Sequence, residues 1–356
     1  YFGSTTDTTC VIPFITGEQV VLKEVTFMPA VYKAVGEVLE NSTDEMKHIS
    51  QQRKTITINA DPEFGRYSIA DNGRGVPITM HASGLPTPQV VFGSLRSSRN
   101  FDDSTKLAGV IGMNGVGASC TCAASSDFTV IVHRDGKKYI QKFLDGCNKI
   151  AKPVITASPA SVTGNTGTTV EFQLDPLVFK NVYLPPEMMQ NRAAELALVN
   201  PGVVVEYNGT KYQFKRGMAD LIPMLPAVAR PFLFTFDQPD ISGEILLVPN
   251  GTTFVDERFF TWVNSALLFD GGKINTQFTN ALVDKVMDHL SKEAKKLKID
   301  IQKSDVRHGL LGLGSLKIAN PTYDSPAKLR MTGPDFKKEI TAVVDEFWKA
   351  FARKSE

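Results

Sequence analysis

The chain has 356 residues, of which 42% are hydrophobic and 22% charged, and its formal net charge is +1. This length exceeds what one ordinary core uses, so two domains are expected, and the composition is typical of a soluble globular protein. The nearly neutral charge excludes a polycation, so any nucleic-acid contact must come from local basic clusters. Four cysteines without metal-ligand spacing predict reduced thiols in the cytosol. No apolar run reaches the ~18 residues of a membrane span, so no membrane contact is expected.

The first strong pattern is a helix over Pro29–His48, in which apolar residues recur at helical spacing. Lys33, Glu37, Asn41 and Glu45 are spaced four apart, so they form one polar stripe along this helix. A solvated face with an i,i+4 Lys–Glu pair explains such a stripe. A functional site explains it as well, because Asn41 is unfavourable inside a helix and no local interaction offsets the stability that it costs.

The second pattern is the loop Asp71–Pro77, which reads Asp-Asn-Gly-Arg-Gly-Val-Pro. Alternating residues in Arg66–Ala70 predict a strand that leads into it. Two glycines allow the backbone to come close to a flat ligand, and the Asp71 carboxylate can accept a hydrogen bond from an exocyclic amino group such as that of adenine. An ordinary surface turn at Asn-Gly is the alternative.

A third glycine-containing stretch, Gly112-Met-Asn-Gly115-Val-Gly117, precedes a predicted helix of small residues, Ala118–Ser126. Backbone N–H groups at the start of a helix can bind phosphate. The pattern alone is weak. It is not the Rossmann G-x-G-x-x-G that directly follows a first strand, and the sequence contains no Walker G-x-x-x-x-G-K-[ST]. The long polar segment over 95–109 is typical of a functional loop.

The remaining periodicities predict further elements. Strands are expected over 10–14, 20–27, 54–60, 128–134, 137–143, 166–174, 203–207, 211–214, 232–236, 243–248, 253–260 and 309–318. Helices are expected from residue 89 and over 186–198, 275–297 and 336–353, with a loop over 320–330. Three prolines over 223–231 mark a boundary, which predicts domains of residues 1–228 and 229–356.

The residues of the helix stripe have the chemistry that ATP hydrolysis needs. Asn41 offers a neutral oxygen that can complete a Mg²⁺ shell made otherwise of phosphates and waters. Glu37, one turn earlier, can take a proton from an attacking water. Lys33, a further turn back, can hold Glu37 ionised and oriented.

Together these motifs resemble the GHKL ATPases, which include type IIA topoisomerases, the heat-shock chaperone of the ninety-kilodalton class, MutL and histidine kinases. The family's Glu-x-x-x-Asn motif stands here as Glu37–Asn41. Its second and third motifs correspond to Asp71–Pro77 and Gly112–Gly117, and a fourth to Gly167-Thr168-Thr169. The resemblance implies an α+β fold, a GHKL (Bergerat) α/β sandwich ATPase domain followed by a transducer domain of ribosomal-S5-like fold.

Within that superfamily the chain is most similar to type IIA topoisomerases, and to the eukaryotic and T-even-phage branch among them. Tyr1–Ser4 resembles their Tyr-Ile-Gly-Ser segment, and 97–103 resembles their Ser-Ser-Asn-Tyr-Asp-Asp lid with one residue inserted. Lys33 stands where gyrase has His. In the second half, Val263-Asn264 with Gly271-Gly272 and the loop Asn320–Lys328 resemble the transducer domain.

The resemblance implies a role for each candidate residue. Glu37 is the general base, with Lys33 beside it, and Lys328 reaches the γ-phosphate from the second domain. Asn41 is the Mg²⁺ ligand. The remaining nucleotide-binding candidates are Glu45, Asp71, Arg74, Gly75, Ile78, Ser97, Ser98, Asn100, Asn114, Gly115, Val116, Gly117, Thr168 and Thr169. Alternatives stay open at several of these: Ile78 as plain core, Arg74–Glu45 as an exposed ion pair, and either threonine as the partner of Asp71.

The function that the resemblance implies is the ATPase and N-terminal gate of a type II DNA topoisomerase. Such a gate binds ATP and Mg²⁺, forms a homodimer on nucleotide binding and captures double-stranded DNA. The toprim and DNA-cleavage domains are absent from this chain, which does not begin with Met and lacks the N-terminal strap before Tyr1, so a trimmed piece is expected. A cytoplasmic location is expected, or a nuclear one in a eukaryote. The lysines over 292–298 either line a DNA cavity or form a solvated face.

Two departures from the family bear on the alternatives. Pro326 and Ala327 replace the family's glutamine and threonine beside Lys328, and that glutamine helps contact the γ-phosphate. A non-hydrolysing, nucleotide-gated dimerisation module is therefore one alternative. Another GHKL machine, a MutL-like or chaperone ATPase, is the other.

Overall fold

The computed structural model describes residues 1–50, 53–93, 116–158, 166–225, 230–249 and 257–355, without the side chains of 292, 293 and 352–355. The chain divides into two compact units, one of residues 1–9 and 24–215 and one of residues 10–23 and 216–356. Among the helices in these described ranges, none is both long and apolar enough to cross a membrane. The domain boundary at residue 228 stays a prediction.

The described residues of the first unit include a nine-stranded sheet and five helices. Its helices are α1 (Pro29–His48), α2 (Thr87–Gly93), α3 (Gly117–Ala123), α4 (Pro176–Phe179) and α5 (Pro186–Val199). Its strands are β3 (Lys54–Asp61), β4 (Arg66–Asp71), β5 (Ser125–Arg134), β6 (Lys137–Leu144), β7 (Lys149–Ile150), β8 (Val154–Ala157), β9 (Gly167–Leu174), β10 (Val203–Tyr207) and β11 (Thr210–Tyr212). The strands β1 (Thr8–Ile15) and β2 (Val20–Phe27) form a separate two-stranded sheet, and their residues 10–15 and 20–23 belong to the second unit.

The large sheet has the strand order β11-β10-β3-β4-β9-β5-β6-β7, with β8 also paired to β6. Among the strand pairs of this sheet that lie in the described residues, only β10–β3 is parallel. Residues along the central strands alternate between buried and more exposed, so one face is covered: Ile69 is buried, for example, whereas Ser68 is partly exposed. Because β4 and β9 are antiparallel, the end of β4 at Asp71 lies beside the start of β9 at Gly167. This pairing brings the second and fourth motifs together.

The helix α1 has the bounds that the sequence predicted. Pro29 occupies its first turn, where a proline costs no hydrogen bond, and Lys47 and His48 lie in its last turn, where they complement the helix dipole. The side chain of Thr121 ties α3 to α1 by donating to the backbone oxygen of Ala34 at 2.8 Å. The start of α3 is therefore fixed against the middle of α1.

The second unit is a five-stranded sheet in the order β12-β13-β16-β14-β15. Its strands are β12 (Phe232–Asp237), β13 (Ile241–Pro249), β14 (Arg258–Val263), β15 (Ala266–Leu267) and β16 (Leu310–Ile318), with a small sheet of β17 (Thr322–Tyr323) and β18 (Met331–Gly333). Its helices are α6 (Lys273–Leu297), α7 (Lys303–Arg307) and α8 (Lys337–Ser355), preceded by a 3₁₀ helix, Gly217–Met224. Residues of the sheet, of α6 and of α8 share one core, which includes Ile245, Phe278 and Val343.

Three predicted elements differ from the structure. The predicted helix Ala118–Ser126 ends at Ala123, because Ser125 already pairs with β9 and the ladder replaces the helical hydrogen bonds. The predicted strand over 253–260 is Arg258–Val263 in the structure, and 250–256 lie outside the described residues. The predicted loop over 320–330 contains the short strand β17.

Candidate nucleotide-binding site

The centre of the candidate site is a buried ion pair on α1. Lys33 Nζ lies 2.6 Å from Glu37 Oε1, and the two side chains are only 4% and 8% exposed. Lys33 also donates to both carboxylate oxygens of Glu40, at 3.0 and 3.2 Å. The solvated-face explanation is therefore wrong for this pair. Carboxylates this deeply buried remain ionised only when a cation and hydrogen bonds compensate for lost hydration.

Glu37 has two further neighbours. The hydroxyl of Tyr1 donates to Glu37 Oε1 at 3.1 Å. On the other side, a Cβ added to Gly117 would overlap Glu37 Oε2, so only glycine fits at that position without moving the carboxylate. The sequence motif placed Gly117 near phosphate, and the structure brings it against the proposed base.

Asp71 lies at the end of β4 among hydrogen-bond donors. Its Oδ1 accepts from the backbone N–H of Gly73 at 2.9 Å and of Thr168 at 3.4 Å, and its Oδ2 accepts from Ser42 Oγ at 3.2 Å. Burial raises the pKa of Asp71 to about 6, although these hydrogen bonds oppose the rise. Sequence reasoning missed Ser42, because a serine inside a helix carries no signal of its own.

The loop after Asp71 is held on several sides. Gly75 has a φ of +73°, and Arg134 Nη1 donates to its carbonyl oxygen at 2.7 Å. The Thr168 hydroxyl accepts from the Val76 N–H at 3.2 Å. Thr169 instead lies in the ladder between β4 and β5, opposite Ala70 and Ile131. Of the two threonines, Thr168 is the one with contacts to this loop.

Arg74 and Glu45 form a bidentate pair across the loop and α1. Arg74 Nε lies 2.7 Å from Glu45 Oε1, Nη2 lies 2.9 Å from Oε2, and the backbone N–H of Arg74 also donates to Oε1 at 2.9 Å. The arginine side chain is 44% exposed and the glutamate 16%. The pair ties the loop to α1, but its exposure limits its contribution to stability. Ile78, further along, is half-buried.

The candidate metal ligand Asn41 is exposed on α1, one turn after Glu37. In the part of the chain that the structure describes, no cluster of three or more His, Cys, Asp or Glu side chains could hold a metal ion. An accessible amide oxygen fits a Mg²⁺ ion whose other ligands are phosphates and waters.

Other candidates lie elsewhere. Ser97, Ser98, Asn100, Asn114 and Gly115 are outside the described residues, whereas Val116 directly precedes α3. Lys328 belongs to the second unit. It has a φ of +59° and closes a turn over Pro326 and Ala327, its N–H donating to the carbonyl oxygen of Ser325 at 3.1 Å. Near the end of α6, Lys295, Lys296 and Lys298 are exposed.

The chain has relatives among proteins of known function. The family model of DNA gyrase B matches residues 242–356. The DNA gyrase B protein of Thermotoga maritima is 30% identical over 341 residues, which cover 89% of this chain and 51% of that protein. DNA topoisomerase 2 of Pisum sativum is 30% identical over 344 residues, 93% of this chain and 23% of that protein. The chain thus spans about half the length of the gyrase protein, and less of topoisomerase 2.

Solved structures agree on the fold. The ATPase region of Saccharomyces cerevisiae topoisomerase II has a TM-score of 0.77 at 21% identity, over 98% of this chain and 94% of that one. The 43K ATPase domain of Thermus thermophilus gyrase B, in complex with an aminocoumarin, has a TM-score of 0.66 at 23% identity, over 92% and 85%. The predicted α+β fold, a GHKL ATPase domain followed by a transducer domain, is confirmed. The chain therefore has the fold of the ATPase region of type IIA DNA topoisomerases, and its sequence is similar to DNA gyrase B and DNA topoisomerase 2.

Proposed function

We propose that this chain binds ATP with Mg²⁺, hydrolyses it, and acts as the nucleotide-operated gate of a type II DNA topoisomerase. The observation that carries the proposal is the buried Lys33–Glu37 pair against Gly117. A carboxylate that is buried, paired and adjacent to a glycine-rich phosphate motif suits a general base better than a structural ion pair.

In the proposed hydrolysis, Glu37 accepts a proton from a water molecule. The oxygen of that water forms a bond to the γ-phosphorus while the bond to the oxygen of ADP breaks. Lys33 is paired with the Glu37 carboxylate and holds it in orientation during the reaction. Because Lys33 is also held by both oxygens of Glu40, it is fixed in place and its charge is shared between two carboxylates. Such fixed orientation lowers the activation barrier of hydrolysis, because the charged side chains do not have to reorganise during the reaction.

The end of the proposed pocket that contains Asp71 recognises the adenine base of ATP. Asp71 accepts from the exocyclic amino group of adenine, while Ser42 and Thr168 hold the carboxylate in orientation. Thr168 is better placed than Thr169 to share a bridging water with Asp71, because it contacts the same loop. The rim of this proposed pocket consists of the Arg74–Glu45 pair, Gly75 and Ile78.

Phosphate contacts come from residues whose roles rest on the family resemblance. The backbone N–H groups of Gly115, Val116 and Gly117, with Asn114, would bind phosphate. Ser97, Ser98 and Asn100 would contact ribose or phosphate. Lys328 would reach the γ-phosphate from the second unit. Hydrolysis would remove the anion that Lys328 binds, so the conformation of the second unit would depend on which nucleotide is bound. Asn41 would hold Mg²⁺, which supplies charge neutralisation of the phosphates when bound.

At the level of the whole protein, ATP binding closes a homodimer around a DNA duplex and hydrolysis reopens it. Cleavage of DNA requires toprim and cleavage domains on another part of the polypeptide or another subunit. The exposed lysines at the end of α6 are candidates for DNA contact. We place the protein in the cytoplasm of a bacterial or phage-infected cell, or in the nucleus of a eukaryote.

The ATPase proposal is tested by steady-state turnover of the wild type and of Glu37→Ala in the presence of Mg²⁺. Loss of a general base slows a reaction by about 10²- to 10⁴-fold, so we expect at least about a 100-fold decrease for the variant. A wild type that binds ATP but does not turn it over would leave the non-hydrolysing dimerisation module as the function.

The gate proposal is tested separately by size-exclusion chromatography with and without a non-hydrolysable ATP analogue. We expect a monomer without nucleotide and a dimer with it, at micromolar protein concentration. A monomer in both conditions would contradict gate closure by this chain while leaving the ATPase proposal intact.

A further inference from the structure

The two carboxylate oxygens of Glu37 have different surroundings. Oε1 is bound twice, by Lys33 Nζ at 2.6 Å and by the Tyr1 hydroxyl at 3.1 Å. Oε2 faces Gly117 so closely that a side chain there would overlap it. One oxygen is thus occupied by the protein, and the other points to the glycine motif that is assigned to phosphate.

We infer that Tyr1 is a positioning residue for Glu37, and that Oε2 is the oxygen that takes the proton from water. This inference rests on the proposed ATPase function and extends it to one atom and one further residue. A carboxylate attached to Lys33 through one oxygen alone can rotate about its last torsion, because that torsion is only broadly two-fold. A second donor on the same oxygen, from a different element, fixes the plane of the group.

Tyr1 is itself held in place. Its ring meets Phe2 edge-on at 5.3 Å, and Phe2 contacts the buried Phe179 at 5.7 Å. Two residues further on, the carbonyl oxygen of Ser4 accepts from the backbone N–H of Ala30 at 3.0 Å. The first residues of the chain are therefore attached to the helix that carries Glu37 and to the first unit's core.

The hydroxyl is a permanent donor toward Glu37. Burial raises the pKa of the Tyr1 hydroxyl well above its usual range, and the negative charge of Glu37 raises it further. The phenol therefore keeps its proton at any working pH. A permanent donor suits a group that must hold an ionised carboxylate, because hydrogen bonds to a charged acceptor are the stronger kind. The geometry supports the role independently of this shift.

The test is Tyr1→Phe, which keeps the ring and its contact with Phe2 and removes only the hydroxyl. We expect kcat for ATP to fall about 10- to 150-fold, the range for a hydrogen bond to a charged group, with KM within about twofold. Tyr183→Phe, at an exposed tyrosine of the same unit, is the matched control and should leave kcat unchanged. Rates are normalised to nucleotide-binding sites counted by titration, so partial unfolding does not enter kcat.

The same substitution in the Glu37→Ala background separates positioning from other roles. If Tyr1 acts through Glu37, its removal there has no further effect on residual turnover. An unchanged kcat in Tyr1→Phe, or an equal further loss in the Glu37→Ala background, overturns the inference, and so does a higher KM with unchanged kcat. An inactive wild type would instead mean that the proposed function fails, and with it the basis of this inference.

Discussion

Replacement of Lys33 by methionine tests whether the buried pair is as deeply desolvated as the structure indicates. Methionine keeps an apolar stem and removes the charge, which leaves Glu37 and Glu40 without their shared cation. Removing one partner of a buried ion pair typically costs about 3–5 kcal/mol. The charge of Arg192 also acts on Glu40 and stays in place, so we expect a cost near the lower end, about 3 kcal/mol.

Urea unfolding followed by far-UV circular dichroism measures this cost. Tryptophan fluorescence is unsuitable, because Trp262 and Trp348 both belong to the second unit. Lys149→Met is the matched control: Lys149 lies 3.8 Å from Asp145, and both side chains are largely exposed, so its cost should stay below about 0.5 kcal/mol.

A double variant sharpens the result. Lys33→Met with Glu40→Gln removes one of the two carboxylate charges that lose Lys33, so it should be more stable than Lys33→Met alone. A loss of less than about 1 kcal/mol in Lys33→Met, or a loss equal to that of Lys149→Met, would refute the argument from burial.

Three further predictions concern the pocket. Gly117→Ala should abolish most ATP turnover in a steady-state assay, because the added Cβ overlaps the Glu37 carboxylate, and retained turnover would contradict that contact. The affinity for adenosine, measured by calorimetry, should fall by up to about tenfold from pH 7.5 to pH 5, because the pKa of Asp71 is raised to about 6 and its ionised form is the stronger acceptor for the adenine amino group. Asp71→Asn should lose that pH dependence, and a pH-dependent Asn variant would exclude Asp71 as its source. Arg74→Ala should change the free energy of unfolding by less than about 1 kcal/mol, because its pair with Glu45 is half-exposed; a larger loss measured in urea would contradict this.

The local patterns in the sequence predicted most of the elements correctly. The period of apolar residues and Pro29 gave the bounds of α1, and Asp135-Gly136 located the hairpin between β5 and β6. The helix over 118–126 was predicted too long. Small residues have weak preferences for either helix or strand, and the pairing of Ser125 with β9 ends the helix before that residue.

Burial of Lys33 and Glu37 on α1 was not predictable, and neither was the position of Tyr1. Helical spacing tells which residues share a face, but only tertiary packing decides whether that face meets water or another element. The contact of Tyr1 with Glu37 joins residues 36 positions apart, and no local pattern links them. The motifs named Glu37 as the base, whereas the choice between its two oxygens needed the structure.

The central claim is that Glu37 performs the chemistry of ATP hydrolysis and is not required for binding. Single-turnover hydrolysis by Glu37→Gln, which keeps the size of the side chain, separates the two. We expect the variant to bind ATP as tightly as the wild type and to convert the bound ATP to ADP at least about 100-fold more slowly. Bound ATP that is hydrolysed at the wild-type rate would contradict it.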